Sequence, residues 1–178
     1  MFVEAAIFAI IIGYLLRGKL NNIEIEKIKG ITFVLCAFLI KLLLVVCIQK
    51  GFLKFGIILY IFYVVQYMLI LVFIYFNRRN RLLVIMGLGI LLNALVIFAN
   101  GGVMPVSMKA VQAYGIKINV SSKGMYSALD NSTRLAFLGD IFPAKLIIHF
   151  IFSIGDIVTA IGMMMYIIFG MRKKLIEE

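Results

Sequence analysis

Histidine and cysteine are almost absent from this sequence, which has one of the first and two of the second. Cys36 and Cys47 lie on one apolar stretch, roughly 16 Å apart along a helix, which is too far for a disulfide. With His149 as the only histidine, the sequence argues against a protein metal site. It also has no recognised nucleophile motif and no internal repeat, which argues against familiar hydrolases and paired-repeat transporters.

Acidic residues are scarce as well: 8 stand against 18 basic residues, for a net charge of +10. A basic stripe with interleaved aromatic residues is missing, so the charge does not indicate nucleic-acid binding. The basic residues instead fall mostly in short tracts between long apolar runs. That distribution is typical of a membrane protein whose loops set its topology.

Apolar residues, by contrast, make up 64% of the chain, and the mean hydropathy is +1.12. A soluble domain is about half apolar, so the excess must face lipid. We therefore predict an all-α integral membrane protein, a single transmembrane domain over 1–178. The bundle has about five transmembrane helices, at about 2–16, 31–48, 56–76, 82–99 and 144–170. The first is predicted to be retained rather than cleaved, because Glu4 precedes it and Arg17 and Lys19 follow it.

The basic tracts also predict the orientation. Tract 17–30 has four Lys/Arg, tract 77–81 has three, and the carboxyl end has three. With five helices, all ten fall on one side, which is then cytoplasmic. The N-terminus is predicted outside, the C-terminus cytoplasmic, and the long segment 100–142 between helices 4 and 5 extracytoplasmic. We therefore expect a multi-pass protein located in the cytoplasmic membrane, with the lipid bilayer as its partner.

Three polar residues interrupt the apolar helices: Lys41, Asn93 and Asp156. Such residues are costly in lipid and mark either a functional site or a structural contact. We hypothesise that Lys41 and Asp156 pair or share a hydrated cavity near Asn93. The alternative is that Lys41 reaches outward alone and Asp156 merely locks two helices.

His149, Ser153 and Asp156 share one face of the predicted fifth helix, and Asn93 and Asn100 share one face of the fourth. These faces are expected to line a recess that opens outward, although small and polar residues also mediate plain helix packing. A second candidate lining is the group Tyr60, Tyr63, Gln66 and Tyr67, for which an aromatic belt or helix packing is the alternative.

Two further features lie in the long outer segment. Gly101 and Gly102 follow the fourth helix and form either a ligand rim or a simple helix stop. Asp130, Asp140 and His149, with Arg134 holding an anion, are the candidates for acid–base chemistry. Helix caps and loop ion pairs explain the same charges, and the sequence assigns no catalytic residue.

Four motifs carry a family resemblance: NGGVMPVS at 100–107, LDNSTRL at 129–135, LGDIFP at 138–143 and FSIGD at 152–156. With them the chain resembles a family of small bacterial membrane proteins known only as a domain of unknown function. The resemblance implies a multi-helix membrane protein in bacteria. It brings no activity, cofactor or catalytic assignment.

The function that these observations favour is the binding or sensing of a small polar or amphiphilic molecule in an outward-facing recess between helices 4 and 5. The predicted ligand-binding residues are Lys41, Asn93, Asn100, Gly101, Gly102, Asp140, His149, Ser153 and Asp156. Two alternatives stay open: a structural or accessory subunit of a larger membrane complex, and an outer-leaflet enzyme using Asp and His. A membrane-protein partner or a homo-oligomer is compatible with the sequence.

Overall fold

The computed structural model describes residues 2–52, 56–115, 125–145 and 149–176. Within them the chain is mostly helical. The helices are α1 (Phe2–Leu15), α2 (Ile31–Gln49), α3 (Ile57–Phe76), α4 (Arg81–Ala99), α5 (Met108–Ala113) and α6 (Ile154–Ile176). The strands are β1 (Met104–Val106), β2 (Tyr126–Ala128), β3 (Phe142–Lys145) and β4 (His149–Phe152), and short 3-10 turns lie at Leu20–Asn22, Ile25–Lys27 and Ala136–Leu138.

Four of the described helices, α2, α3, α4 and α6, are long and apolar enough to cross a membrane. Their outward surfaces are rich in exposed leucine, isoleucine, valine and phenylalanine, which suits contact with lipid. The protein is therefore a membrane protein with four candidate spanning helices. The predicted first helix corresponds to α1, which is apolar but has only 14 residues, fewer than the roughly 20 that span a bilayer.

The closest helix pair is α4 with α6, which run antiparallel and meet through glycine. A side-chain carbon added at Gly89 would lie 2.5 Å from the carbonyl oxygen of Gly155, and one added at Gly162 would lie 2.9 Å from the backbone nitrogen of Met86. Small residues at such positions let two backbones approach closely in lipid. The tight contact fixes the height of α6 against α4.

A second apolar core joins α2, α3 and α4. Ala37 and Leu44 from α2 pack with Leu59, Tyr63, Tyr67 and Ile70 from α3 and with Ala94 from α4. The α3 residues recur at helical spacing on one buried face. On this face Tyr67 lies within electrostatic range of Asp156 at the start of α6.

The predicted fifth helix, 144–170, is wrong at its start. The helix α6 begins at Ile154, and strands β3 and β4 before it pair antiparallel, with Phe142 opposite Phe152 and Pro143 opposite Ile151. The rings of Phe142 and Phe152 stack with centroids 5.8 Å apart. Apolar sequence alone does not separate a short buried strand from a helix, and here cross-strand aromatic packing decides for the strand.

The segment after α4 folds back as a small cap over the end of that helix. Strand β1 is fully buried and lies between parallel β2 and the backbone of Asp140. The N–H of Asp140 donates to the carbonyl of Pro105 at 2.8 Å, and its carbonyl accepts from the N–H of Ser107 at 3.0 Å. Val96 of α4 packs against Met104 and Leu138 of the cap. Because its backbone groups are paired and covered by protein, this non-helical chain is compatible with the edge of a membrane.

At the opposite end, asparagine side chains tie the loops to the helices. The amide of Asn22 donates to the carbonyl of Met171 at 2.9 Å. Asn77, at the end of α3, pairs with both backbone groups of Lys29, donating at 2.6 Å and accepting at 3.0 Å. These contacts bring tract 17–30, tract 77–81 and the end of α6 to one end of the bundle, away from the cap.

Candidate functional site

Ser153 and Asp156 form a reciprocal cap at the start of α6. The N–H of Asp156 donates to the Ser153 hydroxyl at 3.0 Å, and the N–H of Ser153 donates to Oδ2 of Asp156 at 3.2 Å. The Ser-x-x-Asp spacing satisfies two backbone groups that a helix start leaves open, and the carboxylate suits the positive end of the helix dipole. Asp156 therefore lies in the first turn of α6. The sequence-based prediction that it lies deep within a longer helix is wrong.

Asn93 connects this N-cap of α6 to the middle of α4. Its side-chain N–H donates to Oδ1 of Asp156 at 2.9 Å, and its Oδ1 accepts from the hydroxyl of Ser153 at 2.6 Å. Asn93 lies six residues before the end of α4, roughly 9 Å along the helix. The start of α6 is thus below the end of α4. The cap formed by the segment after α4 occupies the space above it.

Asp140 enters that space from the cap. Its side chain is 8% exposed, and its Oδ1 is buried without a hydrogen-bond partner among the described residues. Gly139 allows the close approach, because an added side-chain carbon there would lie 2.8 Å from the carbonyl oxygen of Pro105. Burial and the negative charge of Asp156 raise the pKa of Asp140 to about 7, while the ammonium of Lys41 lowers it. A buried carboxyl in this state can hold either a proton or a cationic partner.

Two tyrosines, Tyr126 and Tyr67, lie within electrostatic range of the carboxyls. Desolvation raises the pKa of Tyr126 on β2, and the charges of Asp140 and Asp156 raise it further. Tyr67 of α3 is buried, lies within electrostatic range of Asp156, and packs edge-to-face on Phe98. The neighbouring Gln66 is 6% exposed, and its Oε1 has no partner within the described chain. Of the predicted aromatic lining, Tyr63, Gln66 and Tyr67 lie on the buried face of α3, and Tyr67 lies within electrostatic range of Asp156.

Lys41 is exposed on α2, although it shares a helix face with the buried Ala37 and Leu44. In the described part of the chain it makes no ion pair with Asp156, and its charge acts on Asp140 instead. A direct pairing of Lys41 with Asp156 is therefore not seen, and Lys41 acts electrostatically on Asp140, whereas a shared hydrated cavity stays a prediction. A long lysine side chain at this place borders the site without filling it.

Asn100 and the following glycines have structural roles. The Asn100 side chain donates to the carbonyls of Val96 and Arg134, both at 2.8 Å, and accepts from the N–H of Arg134 at 2.9 Å. Gly101 has φ +70° and open space around it, and the N–H of the buried Gly102 donates to the carbonyl of Ile97 at 2.8 Å. This arrangement ends α4 and clamps residue 134, which favours the helix-stop interpretation over a ligand rim.

The acid–base candidates are separated by their environments. Asp130 is exposed, and hydrogen bonds from Ser132 and Thr133 lower its pKa. It lines an outer cavity of about 320 Å³, together with Ala99, Asn100, Val103, Ser127, Ala128, Ser132, Thr133 and Arg134. Asp140 does not line this cavity. His149 lies in β4, and its side chain is outside the described part of the structure. No group of three or more His, Cys, Asp or Glu suited to a metal ion occurs among the described residues.

Sequence reasoning missed two features of the site. Tyr126 was not singled out, and nothing in its local sequence indicates that it faces two carboxyls from a distant part of the chain. The start of α6 did have a signal, the Ser153-x-x-Asp156 spacing after an aromatic and β-branched run. Using it would have placed Asp156 at a helix end, next to the cap that contains Asp140.

The arrangement is that of a membrane bundle whose cap presents a buried acid to a helix start. The chain belongs to a family of unknown function, DUF5317, whose model matches residues 25–168. The match spans α2, α3, α4, the cap and most of α6. No curated protein and no solved structure matches the chain.

Proposed function

We propose that the protein is a multi-pass protein of a bacterial cytoplasmic membrane that binds or senses a small polar or amphiphilic molecule. The binding site lies between α4 and α6, beneath the cap, and the cap faces outward. The observation that supports the site is Asp140, whose Oδ1 is buried without a hydrogen-bond partner among the described residues and lies within electrostatic range of a second carboxylate, Asp156. An unsatisfied buried acid is costly unless it is protonated or meets a ligand.

The outward orientation is supported by the position of the basic residues. Arg17, Lys19, Arg78, Arg79 and Arg172 lie in the tracts that the asparagine contacts gather at the end of the bundle opposite the cap. Lysine and arginine collect on the cytoplasmic side of membrane proteins. A site beneath the cap is then reached from outside, past Tyr126, which is 37% exposed, and the exposed Lys41.

Native mass spectrometry of protein extracted in a mild detergent tests the proposal. The wild type is expected to retain a small molecule that Asp140→Asn loses and Asp130→Asn keeps. Asp130 is the matched control, since it is an acid of the same outer segment whose carboxylate is satisfied within its own turn. Equal retention by both variants, or a co-purifying protein with no retained small molecule, would count against ligand binding and favour an accessory subunit.

A further inference from the structure

Charge in the site is unbalanced when both acids are ionised. Asp140 and Asp156 contribute two negative charges, and Lys41 contributes the one positive charge that acts on Asp140 in the described structure. The remaining single negative charge sits where one carboxylate oxygen is buried without a partner. A buried charge of this kind is stabilised by a counter-charge or lost by protonation.

Tyrosines near the two acids suit a small positive charge. Tyr126 and Tyr67 lie within electrostatic range of Asp156, and Tyr126 also lies within range of Asp140. Hydroxyl oxygens accept hydrogen bonds from an ammonium group and can coordinate inorganic cations. Tyrosine ring faces attract cations as well. Two neighbouring donors are already engaged, because the Asn93 amide donates to Asp156 and the Ser153 hydroxyl donates to the side-chain oxygen of Asn93.

We infer that the buried carboxylate of Asp140, with Asp156 in electrostatic range, binds one monovalent cationic group, either an inorganic cation or the ammonium of an amine. This inference rests on the proposed function and specifies the chemistry of its ligand. One positive charge completes the balance left by Asp140, Asp156 and Lys41, and the buried Oδ1 of Asp140 supplies a contact that no described residue makes.

Lys41 has a defined part in this arrangement. Its ammonium is exposed, so it does not fill the site, yet its charge reaches Asp140. It therefore opposes the entry of a second cation by like-charge repulsion. Removing this charge while keeping an apolar stem, as in Lys41→Met, should tighten cation binding severalfold, whereas Asp140→Asn should abolish it.

Thermal unfolding of the purified full chain in detergent at pH 8 provides the measurement. Sodium, potassium, ammonium and methylammonium chlorides are each titrated against N-methyl-D-glucamine chloride at constant ionic strength. At least one is expected to raise the unfolding midpoint saturably, since a ligand of the folded state stabilises it. The inorganic and amine arms distinguish the two sources of the charge. The saturable shift is expected to persist in Asp130→Asn and to strengthen in Lys41→Met.

The pH dependence gives a second readout. The cation and a proton compete for Asp140, whose pKa is about 7 in the empty site. The apparent Kd should therefore be about tenfold weaker at pH 6 than at pH 8. An Asp140→Asn variant whose midpoint responds to the cation like the wild type overturns the inference. So does the absence of a saturable shift with every cation.

The two proposals fail separately. If native mass spectrometry detects an Asp140-dependent neutral or anionic molecule and no cation shifts the midpoint, the cation site is wrong and the ligand-binding function stands. If no molecule is retained and no cation acts, both are wrong. The Asp140→Asn protein serves as its own folding control, because its midpoint in N-methyl-D-glucamine chloride shows directly whether it is folded.

Discussion

Asn93 and Asp156 are joined by a hydrogen bond of 2.9 Å that connects the middle of α4 to the first turn of α6. The side-chain oxygen of the same asparagine accepts a hydrogen bond from the hydroxyl of Ser153, the N-cap residue of α6. The Asn93 side chain thus forms hydrogen bonds with both residues of the α6 N-cap, Ser153 and Asp156. The site beneath the cap is built on this joint, because it fixes where α6 starts and where Asp156 lies below Asp140.

The first prediction concerns that joint. Asn93→Ala leaves the Asp156 carboxylate without its amide donor and the Ser153 hydroxyl without its acceptor, and should lower the free energy of unfolding by about 2–3 kcal/mol. Ser153→Ala should remove about 1–2 kcal/mol. The two losses should not add, because both variants break one network. Equilibrium unfolding in mixed micelles measures the two single variants and the double variant, with the exposed Asn131→Ala as control. Full additivity would contradict a shared network.

The second prediction concerns the α4–α6 contact. Gly89→Ala places a methyl group 2.5 Å from the carbonyl oxygen of Gly155, so the two helices must separate. We expect the free energy of unfolding to fall by about 1–3 kcal/mol, as in other overpacked sites. Gly56→Ala is the control, because Gly56 precedes α3 in extended backbone and has open space around it. A Gly89→Ala protein as stable as the control would mean that the contact is looser than described.

The structure also shows how far the sequence alone can predict this fold. Composition alone predicts that α2, α3 and α4 are membrane-spanning helices, since long apolar runs of this kind are accommodated by a lipid bilayer. The predicted start of α6 is too early, because Phe150-Ile151-Phe152 is as apolar as a transmembrane helix and its pairing with β3 is a contact between separate segments. Hydropathy cannot register a pairing between strands.

The same limit applies to the site. Asn93 and Asp156 were identified because polar residues in apolar runs are conspicuous, and their contact follows from antiparallel neighbouring helices. Tyr126 was missed because its position depends on strand pairing with β1 across residues 107–125. Asp140 was named for its charge, but its burial depends on Gly139 approaching Pro105, which is a tertiary contact without a local signature.

The third prediction concerns the attachment of the cap. Asn100→Asp removes the two N–H donors to the carbonyls of Val96 and Arg134. The loop that holds Arg134 should then detach more often, and amide hydrogen exchange at residues 134 and 138 should speed up by about tenfold or more, while the middle of α4 stays protected. Asn131→Asp makes the same chemical change at an exposed position and should leave exchange unchanged. Unaltered exchange in Asn100→Asp would show that the clamp is dispensable.

The fourth prediction concerns Asp140 and pH. Its pKa is raised from 3.8 to about 7 in the folded protein, so the native state binds a proton that the unfolded state has released. Stability from this group is therefore full below about pH 4 and is lost as the pH rises toward 7, by on the order of 1 kcal/mol per pH unit. The groups acting on it are Asp156, Lys41 and Tyr126. Unfolding followed from pH 4 to 8 without added binding cations should show this slope in the wild type and lose it in Asp140→Asn. Parallel profiles for the two proteins would mean that Asp140 is ionised throughout.

The fifth prediction concerns orientation. In a Cys36→Ala, Cys47→Ala background, a cysteine introduced at exposed Ser132 in the cap should react with a membrane-impermeant maleimide on intact cells. One introduced at exposed Arg79, in the basic turn between α3 and α4, should react only after the membrane is made permeable. The reason is that basic tracts stay on the cytoplasmic side. The reverse labelling pattern would place the cap inside, and a ligand would then reach Asp140 from the cytoplasm.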